Sequence, residues 1–163
     1  MSVPRGDRKK SGMQFIETAD RIEDRAIDIC RKWPKSWRFV ITNRTLALAS
    51  AIVEHAQAAN AIYPITTESE REERVRELLR ALGANYAFAK KIERAYSKFP
   101  LCGEDQRKTP DMLQEKSNKL LEEMMTLCME EEEALKGNIT FTRKAELAGG
   151  KPESSDEKDH PSG

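Results

Sequence analysis

Trp33-Pro34-Lys35-Ser36-Trp37-Arg38-Phe39-Val40-Ile41-Thr42-Asn43-Arg44 lies between two helical patterns, and the reading of this stretch decides the fold. It holds both tryptophans of the chain, three cations and no acid. Proline disfavours α geometry at the residue before it and brings no amide, so Pro34 stops a helix arriving at Trp33. An aromatic, purely basic connection is either the buried corner of a helical bundle or a surface that meets something anionic. Residue types alone leave both open.

Upstream, Phe15, Ile16, Ala19, Ile22, Ala26, Ile29 and Trp33 recur three and four apart, which predicts an amphipathic helix over 13–33. Downstream, Leu46, Ala49, Ile52, Val53, Ala56, Ala59 and Tyr63 predict a second over 43–63. Its many alanines favour helix and let a neighbour approach closely. Thr66-Thr67-Glu68-Ser69-Glu70 reads as a helix start, a hydroxyl cap followed by acids that complement the dipole. The third helix then runs to Phe99, with Val75, Leu78, Leu79, Leu82, Tyr86, Ala89, Ile92, Tyr96 and Phe99 as its stripe. Gly83 inside it costs roughly 1 kcal/mol relative to alanine, and Pro100 ends it.

After a polar loop over 101–108, Thr109-Pro110-Asp111 opens a fourth helix with a capping hydroxyl and a first-turn proline. Met112, Leu113, Leu120, Met124, Leu127, Cys128 and Leu135 mark its inner face, and Gly137 its end. No strand pattern and no solenoid-type repeat competes. The expectation is an all-α, antiparallel up-down-up-down four-helix bundle over 12–137. A flexible basic arm over 1–11 and a disordered polar tail over 138–163 flank it.

Composition narrows the class. The chain has 163 residues, 34% of them charged and 38% hydrophobic, which suits long helices with wide solvated faces. No apolar run reaches the ~20 residues of a membrane span. No signal-peptide core follows the N-terminus. Cys30, Cys102 and Cys128 are odd in number and far apart, against a disulfide framework, so a cytoplasmic protein with reduced thiols is expected. The net charge of zero conceals balances of +5 over 1–44, +1 over 45–100 and −6 over 101–163. Such asymmetry suggests an interaction surface, although an acidic tail that aids solubility would also produce it.

Catalytic chemistry is poorly supplied. Of two histidines, His160 falls in the tail and His55 stands among alanines on the second helix. Bundle metal sites of the di-iron kind repeat Glu-x-x-His, and Ile52 occupies the position where His55 would need the acid. The cysteines lack metal spacing and a histidine partner; Cys30 and Cys128 read as core residues and Cys102 as a loop thiol. No phosphate-binding glycine loop is present. No enzyme, metal or cofactor is expected. Glu130-Glu131-Glu132-Glu133 reads as a solvated helix face, though near a helix end where the dipole disfavours anions.

The candidate site residues are therefore basic. Arg5, Arg8, Lys9 and Lys10 form the N-terminal group; Arg31, Lys32, Lys35, Arg38 and Arg44 cluster around the first connection. Some 20 helical residues, roughly 30 Å, separate the two groups within one copy. Cations beside aromatic rings are the combination that stacks on bases and neutralises phosphates. Equally, Trp33 and Phe39 would plug the end of a bundle while Lys35 and Arg38 face water. On this reading Trp33, Pro34 and Phe39 close the corner, and Lys35, Arg38 and Arg44 are left for a partner.

The motif Trp33-Pro34-Lys35-Ser36-Trp37-Arg38-Phe39, with Ala59-Asn60 near the end of the second helix and Phe99-Pro100 closing the third, carries a resemblance. The chain resembles the Avd-like four-helix-bundle accessory proteins of diversity-generating retroelements, related to bundle proteins encoded in rRNA intervening sequences. Ser2-Val3-Pro4-Arg5-Gly6 followed by Lys9-Lys10-Ser11 is similar to the opening of bundle proteins encoded beside reverse transcriptases. The resemblance covers about residues 2–135. It implies a non-enzymatic homo-oligomeric ring, typically a pentamer, that binds a reverse transcriptase and its template RNA, with Lys35 and Arg38 as nucleic-acid contacts. A structural or regulatory protein-interaction bundle without nucleic-acid binding is the alternative.

Overall fold

In the computed structural model, residues 5–98 and 110–149 are described, residues 5–11, 98, 110, 111 and 113 by their backbone alone. Four α-helices occupy them: α1 Arg5–Cys30, α2 Asn43–Ala61, α3 Glu68–Lys98 and α4 Pro110–Lys144. Each packs on two others: α1 on α2 and α4, α3 on α2 and α4. The chain is thus an all-α four-helix bundle. Phe99-Pro100, the 101–108 connection with Cys102, the Thr109 cap and the tail from 150 onward with His160 lie outside the described residues.

The core is built from the stripes of α1 and α2 as their spacing predicts, except at Tyr63, which lies past the end of α2 and is exposed. Phe15, Ala19, Ile22 and Ala26 from α1 meet Ala49, Ile52, Ala56 and Ala59 from α2, all without exposure. Burying a large aliphatic or aromatic side chain contributes about 1.5–3 kcal/mol, so these residues and their partners on α3 and α4 dominate stability. Paired positions run in opposite senses on neighbouring helices. The Arg74 guanidinium donates to the Ala59 carbonyl and the His55 ring meets Glu77, while Arg71 bonds Thr142 and Asn85 bonds Cys128.

On α3 the buried track differs from the expected stripe. Arg74, Leu78, Ala81, Asn85, Phe88, Ile92 and Ala95 line the core at alternating spacings of four and three. Leu79 and Tyr86, expected inside, are exposed. The reason is chemical: two polar residues interrupt the true track, so apolar periodicity points one residue to the side. α4 behaves alike, with Glu131, Asn138 and Thr142 buried beside Met124, Cys128 and Leu135. The acidic run is therefore not wholly a solvated face.

Three boundaries are corrected. α1 begins at Arg5, so Arg5, Arg8, Lys9 and Lys10 lie within its first turns instead of ahead of it. It ends at Cys30, where Lys32 and Trp33 amides turn back to the Ile29 and Cys30 carbonyls. α4 passes through Gly137 to Lys144, and the Ala148 amide bonds the Ile65 carbonyl at 2.7 Å, so 138–148 is ordered against the bundle. The start of α3 is as read. Thr67 Oγ1 accepts from the Glu70 amide, and the Glu70 carboxylate accepts from the Thr66 amide and hydroxyl. The Thr67 bond satisfies the Glu70 amide, which the first helical turn leaves free, and the Glu70 carboxylate in return ties down Thr66 ahead of the cap.

Candidate partner-binding corner

The connection between α1 and α2 is helical for most of its length. Pro34 is extended, with φ −58° and ψ 146°, and its carbonyl accepts the Trp37 amide at 3.0 Å. Lys35–Trp37 forms one 3-10 turn, and Arg38–Thr42 a π-helical turn that leads directly into α2. The π geometry is closed by the Asn43 amide on the Arg38 carbonyl. The Thr45 hydroxyl returns to the Ile41 carbonyl at 2.9 Å. π turns are rare and gather at functional sites, because they spend an extra residue per turn to re-aim side chains.

The turn places one aromatic residue, Phe39, differently from the expectation. Trp37 is buried, and Trp33 meets it edge-to-face with ring centroids 5.6 Å apart and packs on the core. Phe39, expected to help close the corner, is 85% exposed, and Val40 beside it 72%. Trp37 supplies the plug that Phe39 was expected to give. The π turn carries Phe39 and Val40 outward in its place.

Lys35, Arg38 and Arg44 flank this apolar tip in sequence and are exposed. Among the described residues, neither they nor Lys32 join an ion pair, whereas Arg31 is held by Asp28 at 3.3 Å. No acid occupies the first turn of the 3-10, π or α2 segments. Cations in the first turns of a helical run oppose its dipole, at about 0.3–1 kcal/mol each. Their placement is thus unfavourable to the fold and favourable to an anion meeting the corner. The side chains of Arg5, Arg8, Lys9 and Lys10 lie outside the described residues, so the structure brings together only the residues of the connection.

Other titratable groups are arranged differently. His55 Nδ1 lies 2.7 Å from Glu77, which also accepts from Arg80 at 2.7 Å. Burial pushes the Glu77 carboxyl up, but these hydrogen bonds outweigh it and hold it below its ordinary value. The trio ties α2 to α3. Burial pushes the Cys30 and Cys128 thiols up to about 12, with Glu131 adding to the effect at Cys128, which disfavours the reactive thiolate. Among the described residues, no three His, Cys, Asp or Glu side chains could hold a metal ion. No described helix is long and apolar enough to cross a membrane.

The fold and the exposed corner define a four-helix-bundle protein with a basic, aromatic-tipped connection. No family model, curated protein or solved structure matches the chain.

Proposed function

We propose that this chain is a non-catalytic, oligomeric accessory protein that binds a reverse transcriptase and its template RNA in a diversity-generating retroelement. The observation that carries the RNA contact is the corner itself: Lys35, Arg38 and Arg44, free of ion pairs among the described residues, around an exposed Phe39. Phosphates meet the cations and an unstacked base meets the ring. The motif at 33–39 supports the retroelement context by resemblance.

Electrophoretic titration of single-stranded template-repeat RNA tests the contact. Wild-type protein binds, and the Arg38→Glu/Arg44→Glu variant loses at least about tenfold in affinity. Undiminished binding by that variant contradicts the assignment. Co-purification of the reverse transcriptase encoded beside the gene tests the partnership; absence of such a neighbouring gene removes the retroelement context.

A second reading, protein interaction without nucleic acid, draws on another surface. Leu79 and Tyr86 of α3 and Met129 of α4 are 47%, 47% and 65% exposed. Tyr86 bonds Glu132 across the same seam at 2.7 Å. Apolar side chains at the seam of two long helices suit self-association or a protein partner. Sedimentation velocity tests assembly: a ring-forming chain sediments as one discrete oligomer, and a monomer at all concentrations contradicts it.

A further inference from the structure

At the other end of α2 from the basic corner, a cavity of about 510 Å³ opens between the ends of the helices. Its walls are largely apolar, from Met13 of α1, Tyr63 after α2, and Ala134 and Phe141 of α4, with Gln14, Asn60 and Asn138 as polar points. One wall is Arg74, which is only 3% exposed. Its guanidinium lies between two rings, 5.8 Å from the centroid of Phe15 and 5.3 Å from that of Tyr63.

The bonding of Arg74 is incomplete in a specific sense. Nε donates to Thr142 Oγ1 at 3.0 Å, Nη1 to the Ala59 carbonyl, and Nη2 reaches Asn138 Oδ1 only at 3.5 Å. All three acceptors are neutral, and a guanidinium has five N–H groups. A buried charge is ordinarily paired, because desolvation is expensive without an opposite charge. Among the described residues no carboxylate pairs with Arg74. Burial accordingly depresses its pKa, against an opposing contribution from Tyr63.

We propose that this cavity binds a small monocarboxylate with an apolar body, its carboxylate on Arg74 and its body against Met13, Tyr63 and Phe141. The fork of a guanidinium matches a carboxylate in two parallel bonds, and the volume lies in the range of small-molecule sites. Glu133, exposed on the rim, is the other formal charge on the lining and disfavours a dianion such as phosphate. Gly137 keeps the space open: a Cβ built there meets nothing within 4 Å.

Isothermal titration of the full chain with octanoate, and with 1-octanol as the uncharged analogue, tests the proposal. Octanoate binds saturably, and octanol at least about tenfold more weakly. Gly137→Leu places a side chain in the cavity and abolishes octanoate binding. Its thermal midpoint is unchanged or raised, because a helical glycine is replaced. Arg74→Lys, which keeps the charge and loses the fork, weakens octanoate by about tenfold. Octanol binding as tightly as octanoate, no saturable octanoate binding, or wild-type binding by Gly137→Leu each overturns it.

Discussion

Glu131 is a carboxyl with no exposure and, among the described residues, no hydrogen-bond partner at either oxygen. Burial, with a smaller contribution from Asp20, pushes it up to about 9 from an ordinary 4.5, so it sits protonated in the folded bundle at neutral pH. Its folded pKa lies above its unfolded one, so its contribution is fully present below about pH 4.5. Between about 4.5 and 9 the unfolded chain ionises while the folded one holds its proton, and stability falls by about 1.4 kcal/mol per pH unit from this group. Urea midpoints should therefore drop between pH 5 and pH 8. Glu131→Gln should remove most of that drop; a variant with the wild-type pH slope would assign it to other groups. The two buried thiols give a second test. Cys30 and Cys128 should resist iodoacetamide in the native protein and react on unfolding, and fast native alkylation at either would contradict their burial.

Elements differ in how much of them can be read from sequence. α1 and α2 bury the stripes their apolar periodicity marks, apart from the exposed Tyr63 beyond the end of α2, because no polar residue interrupts the inner face from Phe15 to Ile29 except the buried Thr18, or from Ala49 to Ala59. α3 and α4 bury Arg74, Asn85, Glu131, Asn138 and Thr142 on their inner tracks, and a rule that scores apolar spacing steps past each of them. The cap at Thr67 was legible because its chemistry is local; Thr67→Ala should cost about 1 kcal/mol by thermal or chemical denaturation. The π turn was not, since an extra residue per turn has no residue signature, and so Phe39 was assigned the inward place of Trp37. The two should separate on mutation: Trp37→Ala costs about 3–5 kcal/mol, whereas Phe39→Ser changes stability by less than about 0.5 kcal/mol. Comparable losses at both positions would contradict the turn's geometry. Arg38→Glu/Arg44→Glu should fold at least as stably as wild type, since acids suit a helical start, while losing the partner.

Across the whole molecule, the bundle holds its two unusual features at opposite ends. The connection between α1 and α2 gathers exposed cations around Phe39; the far end encloses Arg74 beside an open cavity. The fold class and the basic character of the corner were visible in the sequence. The cavity was not, because it joins residues from all four helices that no linear pattern associates. The zero net charge of the chain makes the cationic corner a local feature, so the proposed binding to a polyanion would depend on a few contacts. The most direct measurement is the affinity for single-stranded RNA as a function of salt, for wild type and for Lys35→Ala/Arg38→Ala/Arg44→Ala. Each phosphate contact to a single strand contributes about 0.7 to the slope of log affinity against log salt, so three lost contacts should reduce it by about 2. Equal slopes and equal affinities for the two proteins would contradict the corner as the nucleic-acid surface.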